Sequence, residues 1–270
     1  MDDVVQTWQL DPALRHQMSL HAATRALQQG KPDLAAQILE ELLDVSPNDP
    51  TVLGWLVSAL LSAGQFHLAQ QPLEQLAEVG PMPAHRWVQL AMCRYECANP
   101  EGTLEACAHA HAIWPHHAEA HYLRALSLEL LEQPGADEAY LRAFQCNPLA
   151  HPLPMKLDEE AVQGLLTVAF DELEDHISTF WQGVPVEVLH RPSLDNLRTS
   201  QPPLSPRTAC MFMGSPARQS AKQAASSRPS SLRIFITALE KATDPQHAVR
   251  LLVESLTIEA ETWTDLQQST

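Results

Sequence analysis

Cysteine and histidine residues recur at helical spacing in one stretch of the chain. Cys93 and Cys97 are four residues apart, as are Cys107 and His111. Because side chains at i and i+4 lie on the same face of a helix, such pairs could bind a transition metal. Further histidines lie close by: His109, His116, His117 and His121. This stretch is therefore the first place to look for metal chemistry.

A packing role explains these residues better than a metal site does. The chain contains no CxxC pair and no HExxH pair. Cys107 falls at a repeat position that is normally in the core, and buried cysteine behaves as a small apolar side chain. Cys210 borders an apolar strand pattern and has the same interpretation. We therefore predict that the protein binds no metal and uses no cofactor.

Other chemistries have little support in the sequence. We find no GxSxG motif, no activated-cysteine motif and no glycine-rich loop that could bind phosphate. The formal net charge is −16, which disfavours nucleic acid and anionic membranes as partners. Five cysteines form no dense disulfide framework, and the N-terminus does not resemble a signal peptide. This low cysteine content favours a reduced setting, so we expect a cytoplasmic protein. No apolar stretch is long enough to span a membrane.

The elements that position these side chains are indicated by four prolines. Pro47, Pro81, Pro115 and Pro148 are separated by 34, 34 and 33 residues. Proline stops a helix, and a period near 34 is typical of stacked helix–turn–helix units. A single unit cannot bury its apolar face, so neighbouring units must share a core.

Small and apolar residues keep constant distances from these prolines. Gly30 and Gly64 lie 17 residues before the first two prolines, and Ala35 and Ala69 lie 12 residues before them. The glycines are expected to end a first helix with a positive φ. One residue is missing from the last turn, around Glu132–Gly135. The third and fourth units continue the pattern with Trp87, Leu90, Ala91, Ala110, Ala136, Tyr140 and Ala143.

This pattern resembles the tetratricopeptide repeat over about residues 16–150. The resemblance implies an α-solenoid of about four helical hairpins. Leu42 and Leu76 depart from it, because each replaces a small residue. We predict that residues 1–15 form a capping helix in which Trp8 covers the first repeat. Pro72 lies near the start of a second helix, where we expect a slight bend and no break.

In this family the first helix of each hairpin lines a concave groove that binds partners. The resemblance therefore implies partner-binding residues in four repeats. Trp55, Met92, Tyr95 and Tyr122 could anchor a peptide or helix, or could instead pack between repeats. The Lys, Arg and Asn residues with which some members bind a chaperone's C-terminal carboxylate are absent. The full set is His21, Thr24, Gln28, Trp55, Ser58, Ser62, His85, Gln89, Met92, Tyr95, Glu96 and Tyr122.

The pattern changes after residue 150, so we predict a domain of residues 1–150, a linker of residues 151–157 and a second domain of residues 158–270. Apolar periodicity predicts a long helix over Leu157–Trp181 and a final helix over Gln246–Leu266. The segments VPVEVLH, ACMFMGSP and LRIFITAL are predicted to be strands. Around the middle strand, residues 191–231 are rich in Pro, Ser and Arg, which favours loops. We expect this basic segment either to be solvated or to lie against acidic repeats or an acidic partner.

The order of these elements resembles a small bacterial zincin-like metallopeptidase family over about residues 158–268. The motifs that carry the resemblance are LLTVAFDELED, MFMGSP and the segment from LRIF to TIEAE. That family's final helix carries HExxHxxGxx(H/D), whose histidines bind zinc and whose glutamate activates water. Here only Glu259 matches. Ile258, Thr262, Asp265 and Gln268 stand at the other motif positions, and isoleucine cannot bind metal.

These observations favour a non-enzymatic adaptor that binds a protein or peptide in the repeat groove. The C-terminal α+β zincin-like domain would be catalytically inactive, with Glu259 either vestigial or a solvent-facing acid of an amphipathic helix. The alternative is a zinc-dependent peptidase whose repeats recruit substrate. It would need ligands from elsewhere, such as His247 or the histidines of repeats three and four.

Overall fold

The computed structural model describes residues 12–199, 204–214 and 228–268. Contacts divide the chain into two compact units, residues 1–123 and 124–270. The predicted domain boundaries at residues 150 and 157 stay predictions. The helices of the repeat region are α1 (Pro12–Gln28), α2 (Pro32–Val45), α3 (Pro50–Ser62), α4 (Phe66–Val79), α5 (Ala84–Glu96), α6 (Pro100–Ile113), α7 (Ala118–Leu130) and α8 (Ala136–Cys146).

The hairpin turns repeat one backbone geometry. Gly30 and Gly64 have φ values of 69° and 71°, as predicted, and Ala98 and Glu132 have φ values of 54° and 57°. After each of these residues, the next backbone N–H donates to a carbonyl five residues earlier, at 2.8–2.9 Å. This pattern satisfies carbonyls that the end of a helix leaves without partners. All four turns therefore end the first helix of the hairpin in the same way, although only two of them contain glycine at this position.

The recurring prolines lie where the period predicts them. Pro47, Pro81, Pro115 and Pro148 each follow the last residue of α2, α4, α6 or α8 by two positions. Proline cannot continue a helix, which explains why each second helix ends there. Pro72 is buried inside α4, and the helix continues through it.

Small residues allow the paired helices of the first unit to approach closely. Ala35 and Ala69 are fully buried, and Thr103 takes the equivalent place in the third hairpin. The Thr103 hydroxyl donates to the carbonyl of Ala91 at 3.3 Å and to that of Asn99 at 2.9 Å. These hydrogen bonds satisfy the buried hydroxyl of Thr103. Larger side chains fill the remaining core: Leu39, Leu53, Leu60, Leu73, Leu90 and Cys107.

Helices α1 and α2 line one pocket with both apolar and polar side chains. Leu14, Met18 and Leu34 are all exposed and line this pocket with Ile38. The predicted capping segment with Trp8 lies largely outside the described residues.

The second unit contains helices packed on a small mixed sheet. Strand β3 lies in the centre, parallel to β1 and antiparallel to β2. Val188 is aligned with Ile234 in the first pair, and Cys210 is aligned with Ile234 in the second. The elements after α8 are α9 (Glu159–Glu172), α10 (Asp175–Trp181), β1 (Val186–Leu189), α11 (Leu194–Thr199), β2 (Cys210–Met213), β3 (Ser231–Phe235), α12 (Ile236–Glu240) and α13 (Pro245–Gln268).

Two sequence predictions for this unit were wrong in detail. The long helix predicted over Leu157–Trp181 is two helices, because Leu173 and Glu174 adopt extended backbone angles. The break lets Leu173, Ile177 and Trp181 all reach one core. The predicted strand LRIFITAL ends at Phe235 and continues as α12. Periodicity alone does not distinguish a short buried strand from a buried helix.

Helices α9, α10 and α13 supply the core against the sheet. Leu232 and Ile234 of β3 are fully buried in one core with Leu252 and Leu256 of α13. The indole N–H of Trp181 donates to the carbonyl of Leu256 at 3.1 Å, so its buried polar atom is satisfied. Cys210 is also fully buried, which confirms its predicted packing role.

A half-buried ionic group joins elements of the second unit that are far apart in sequence. Lys241 Nζ lies 2.9 Å from Glu129 Oε1 and 4.6 Å from the centre of the Tyr140 ring. The Tyr140 hydroxyl donates to the other Glu129 oxygen at 2.9 Å. Glu129 is therefore bonded by both a cation and a hydroxyl.

The predicted linker and basic segment also make polar contacts in this unit. The backbone N–H of Met155 donates to the carbonyl of Glu240 at 2.8 Å. Arg191 forms an ion pair with Glu132, in the turn between α7 and α8. For Arg191, this contact agrees with the expectation that the basic segment lies against acidic repeat residues.

Candidate functional site

The predicted partner-binding residues lie on the first helices of successive hairpins. They belong to α1, α3, α5 and the start of α7, and we call their shared surface the first-helix face. Trp55 is 39% exposed, which is high for so large an apolar side chain. His21, Gln28, Ser62 and His85 are exposed, whereas the half-buried members are Thr24, Ser58, Gln89, Met92, Glu96 and Tyr122.

Tyr95 does not belong to the accessible part of this face. Its side chain is only 4% exposed, so it packs in the interior of the first unit. The sequence left packing and anchoring open for the aromatic residues, and for Tyr95 the structure favours packing. Trp55 is the aromatic residue of the predicted set with the greatest exposure.

An arginine that the sequence analysis missed lies at this face. Arg86 extends from α5 to α3, where its Nη2 group donates to the carbonyl of Gly54 at 3.2 Å. Its Nη1 group donates to Gln89 Oε1 at 3.0 Å. A Cβ atom at Gly54 would lie 3.0 Å from Nη2. Because Gly54 has no side chain, the guanidinium of Arg86 can lie directly beside α3.

Ser58 supports the same arrangement from within α3. Its hydroxyl donates to the carbonyl of Gly54 at 3.0 Å, so this oxygen accepts both a hydroxyl and a guanidinium. Arg86 has five N–H groups and uses two of them in the contacts with Gly54 and Gln89. Both acceptors in these contacts, the Gly54 carbonyl and Gln89 Oε1, are neutral oxygens.

Burial and charge shift the titration of this site. Burial lowers the pKa of the Arg86 guanidinium, because its charged form is partly desolvated. Burial lowers the pKa of His85, and the adjacent Arg86 charge lowers it further. Both effects disfavour the charged imidazole of His85, so Arg86 is the main source of positive charge here.

Charge is distributed unequally between the two kinds of helix in the first unit. Helices α1, α3 and α5 together carry four arginines and a single acid, Glu96. Helices α2, α4 and α6 carry no lysine or arginine. Their eight acids are Asp33, Glu40, Glu41, Asp44, Glu74, Glu78, Glu101 and Glu105.

One of these four arginines is already neutralised. Arg94 pairs with Glu74 at 3.1 Å and with Glu105 at 2.9 Å, both on second helices. Arg86 differs because both of its hydrogen-bond acceptors are neutral oxygens. The first helices thus carry a positive charge within a protein whose overall charge is strongly negative.

The cysteines and histidines of repeat three pack against other groups. Cys93 and Cys107 are fully buried, which confirms the predicted core position of Cys107. Burial is the main reason that the pKa of Cys93 is raised to about 12. The rings of Trp87 and His109 stack with centroids 4.2 Å apart. Within the described ranges, no group of three or more Cys, His, Asp or Glu side chains is arranged to hold a metal ion.

Glu259 is not the solvent-facing acid that one interpretation of the sequence suggested. It is half-buried, and its Oε2 atom accepts a 2.9 Å hydrogen bond from the backbone N–H of Phe212. Burial raises the pKa of its carboxyl, although the hydrogen bond from Phe212 acts in the opposite direction. Ile258 and Thr262, its neighbours in the motif, are more open to solvent, and Ile258 is 59% exposed.

Comparison with known proteins identifies the repeats of the N-terminal half. A sequence model described as "Tetratricopeptide repeat" matches residues 26–91. The N-terminal half of the chain therefore contains tetratricopeptide repeats. No curated protein matches the chain. No described helix is long and apolar enough to cross a membrane.

Several solved structures are similar to about half of this chain. A MamA protein from Desulfovibrio magneticus RS-1 is 21% identical, with a TM-score of 0.45, and the match covers 50% of this chain and 76% of that one. A second MamA structure is 18% identical, with a TM-score of 0.48, over 50% and 75% of the two chains. A thermophilic TPR protein from Thermus thermophilus is 21% identical, with a TM-score of 0.40, over 49% and 75%.

Proposed function

We propose that this protein is a non-enzymatic adaptor that binds a segment of another protein on its first-helix face. The observation that carries the proposal is the exposed Trp55 among polar residues on the first helices of tetratricopeptide repeats. A large exposed aromatic side chain is a typical anchor of a protein interface. The polar residues around it can supply hydrogen bonds at the edge of the contact.

The C-terminal part of the chain would serve as a second binding or structural module. The resemblance to a zincin-like family without its histidines motivates this part of the proposal. The hydrogen bond from Phe212 to Glu259 gives that glutamate a structural role. A zinc peptidase is the alternative, and stoichiometric zinc in the purified full chain would support it.

The test is capture of proteins from the host lysate on the immobilised full chain. We expect Trp55→Ala to lose the partners that the wild-type chain retains. Trp114→Ala is the matched control, because Trp114 is also exposed but follows the second helix α6. Quantitative mass spectrometry would compare the three samples, and circular dichroism would check that each variant is folded.

A specific partner should be retained by the wild type and by Trp114→Ala and be reduced at least about tenfold in Trp55→Ala, which corresponds to the loss of one interface anchor. Equal recovery from all three chains would contradict a binding role for the first-helix face.

A further inference from the structure

The positive charge that Arg86 brings to the first-helix face indicates what kind of segment this face would bind. By composition, α1, α3 and α5 carry four arginines and one acid, whereas α2, α4 and α6 carry eight acids and no lysine or arginine. A cation whose hydrogen-bond acceptors are neutral oxygens attracts acidic partners and repels basic ones.

Arg86 is the group on this face that is best placed to contact such a partner. Gly54 and Gln89 hold two of its N–H groups by neutral oxygens, which fixes the guanidinium without neutralising it. A planar guanidinium can donate two parallel hydrogen bonds to a carboxylate, and such charged pairs are stronger than neutral ones. Because the side chain is already ordered, a ligand would lose little of its binding energy to ordering it.

We propose that the first-helix face selects an acidic peptide segment and that Arg86 binds one of its side-chain carboxylates. This inference rests on the proposed function. Trp55 follows Gly54 directly in α3, so the apolar anchor and the site of the arginine belong to the same helix turn. The preferred ligand therefore combines Asp or Glu with an apolar residue. A segment of this kind can lie within one partner chain and does not require a free C-terminus.

Peptide selection on the intact chain would test this inference. A phage library of random peptides is panned against the wild type, Arg86→Gln and Arg142→Gln, and the recovered peptides are sequenced. Arg142→Gln is the matched control, because it removes an equal charge from α8 on a side chain that is 60% exposed. Synthetic copies of one recovered acidic peptide, and of its version with Gln at every acidic position, are then titrated.

We expect the wild type and Arg142→Gln to enrich Asp and Glu, and Arg86→Gln to lose that enrichment. In titrations, removal of either the peptide's acids or Arg86 should weaken binding about tenfold, and removal of both should add little further. Higher salt should weaken only the acidic peptide, because screening acts on the charged pair.

The outcomes separate this inference from the proposed function. Enrichment of apolar peptides without acidic residues, acidic enrichment that survives Arg86→Gln, or no enrichment would overturn the role of Arg86. The adaptor proposal would then be judged by the lysate experiment alone. If lysate capture is independent of Trp55 while Arg86 still selects acidic peptides, the adaptor proposal fails as stated and Arg86 remains an acidic-peptide site.

Discussion

The carboxylate of Glu259 on α13 accepts a 2.9 Å hydrogen bond from the backbone N–H of Phe212 on β2. Strand β2 lies at the end of the three-stranded order, and antiparallel pairing directs alternate N–H groups away from β3. Glu259 therefore provides an acceptor for a strand N–H without a sheet partner. An exposed strand edge can pair with another chain, and an acceptor at this position opposes such pairing.

Glu259→Gln is expected to stabilise the second unit above acidic pH. The raised pKa means that folding favours the protonated carboxyl, so this contribution is fully present below the ordinary value of 4.5 and is lost as pH rises through the raised pKa. Glutamine keeps an oxygen acceptor for Phe212 and remains uncharged. Urea unfolding should show an advantage for Glu259→Gln at a pH of about 8 that shrinks as the pH falls towards the ordinary pKa.

Glu259→Ala is the informative comparison for this prediction. It leaves the Phe212 N–H without its acceptor, and we expect a loss of about 1–2 kcal/mol in the free energy of unfolding. If both variants were equally destabilised at alkaline pH, desolvation of the charge would not be the dominant effect.

Gly54→Ala is expected to separate binding from stability. Alanine favours helix by about 0.5–1 kcal/mol relative to glycine, so α3 itself should not be weakened. The new Cβ would lie 3.0 Å from Arg86 Nη2 and displace the guanidinium from the Gly54 carbonyl. We expect unchanged or higher thermal stability together with weaker binding of an acidic peptide recovered by panning. Unchanged peptide affinity would show that Arg86 can bind the acidic peptide without its contact with Gly54.

Gly64→Ala is expected to destabilise the first unit by about 1 kcal/mol, because a residue with a side chain is strained at positive φ. Gly64 has a φ of 71°, and no atom lies within 4 Å of the place that its Cβ would occupy. The cost therefore comes from the backbone and not from a clash. Gly80→Ala is the control, since Gly80 has equal space and extended backbone angles. Similar losses for both variants in urea unfolding would contradict the backbone explanation.

Glu129→Gln is expected to destabilise the second unit by about 2 kcal/mol, because the half-buried Lys241 ammonium would lose its carboxylate partner. Tyr140→Phe removes only a hydroxyl and should cost about 1 kcal/mol. A double-mutant cycle with Lys241→Met would measure the coupling between Glu129 and Lys241. Arg142→Gln, which removes an exposed ion pair, should change stability little. A coupling near zero would mean that the ion pair contributes nothing measurable to the stability of the second unit.

The sequence alone determined the repeat architecture. The proline period, with Gly30 and Gly64 at a constant distance, predicted helical hairpins, and the structure places helix ends and positive φ values at those positions. It also predicted the buried roles of Cys107 and Cys210. These features could be predicted because helix termination and turn conformation depend on residues within a few positions of each other, and repetition made the local signals recognisable.

Only the tertiary structure decided which side chains meet. Arg86 contacts a glycine 32 positions earlier in the chain, and Glu259 reaches a strand 47 positions earlier. The break at Leu173 is also set by the core that Leu173 and Trp181 share. Such relations depend on how distant segments pack, and no local pattern of residue types encodes them. The repeats were therefore predictable from the sequence, whereas the contact between Arg86 and Gly54 emerged only from the tertiary structure.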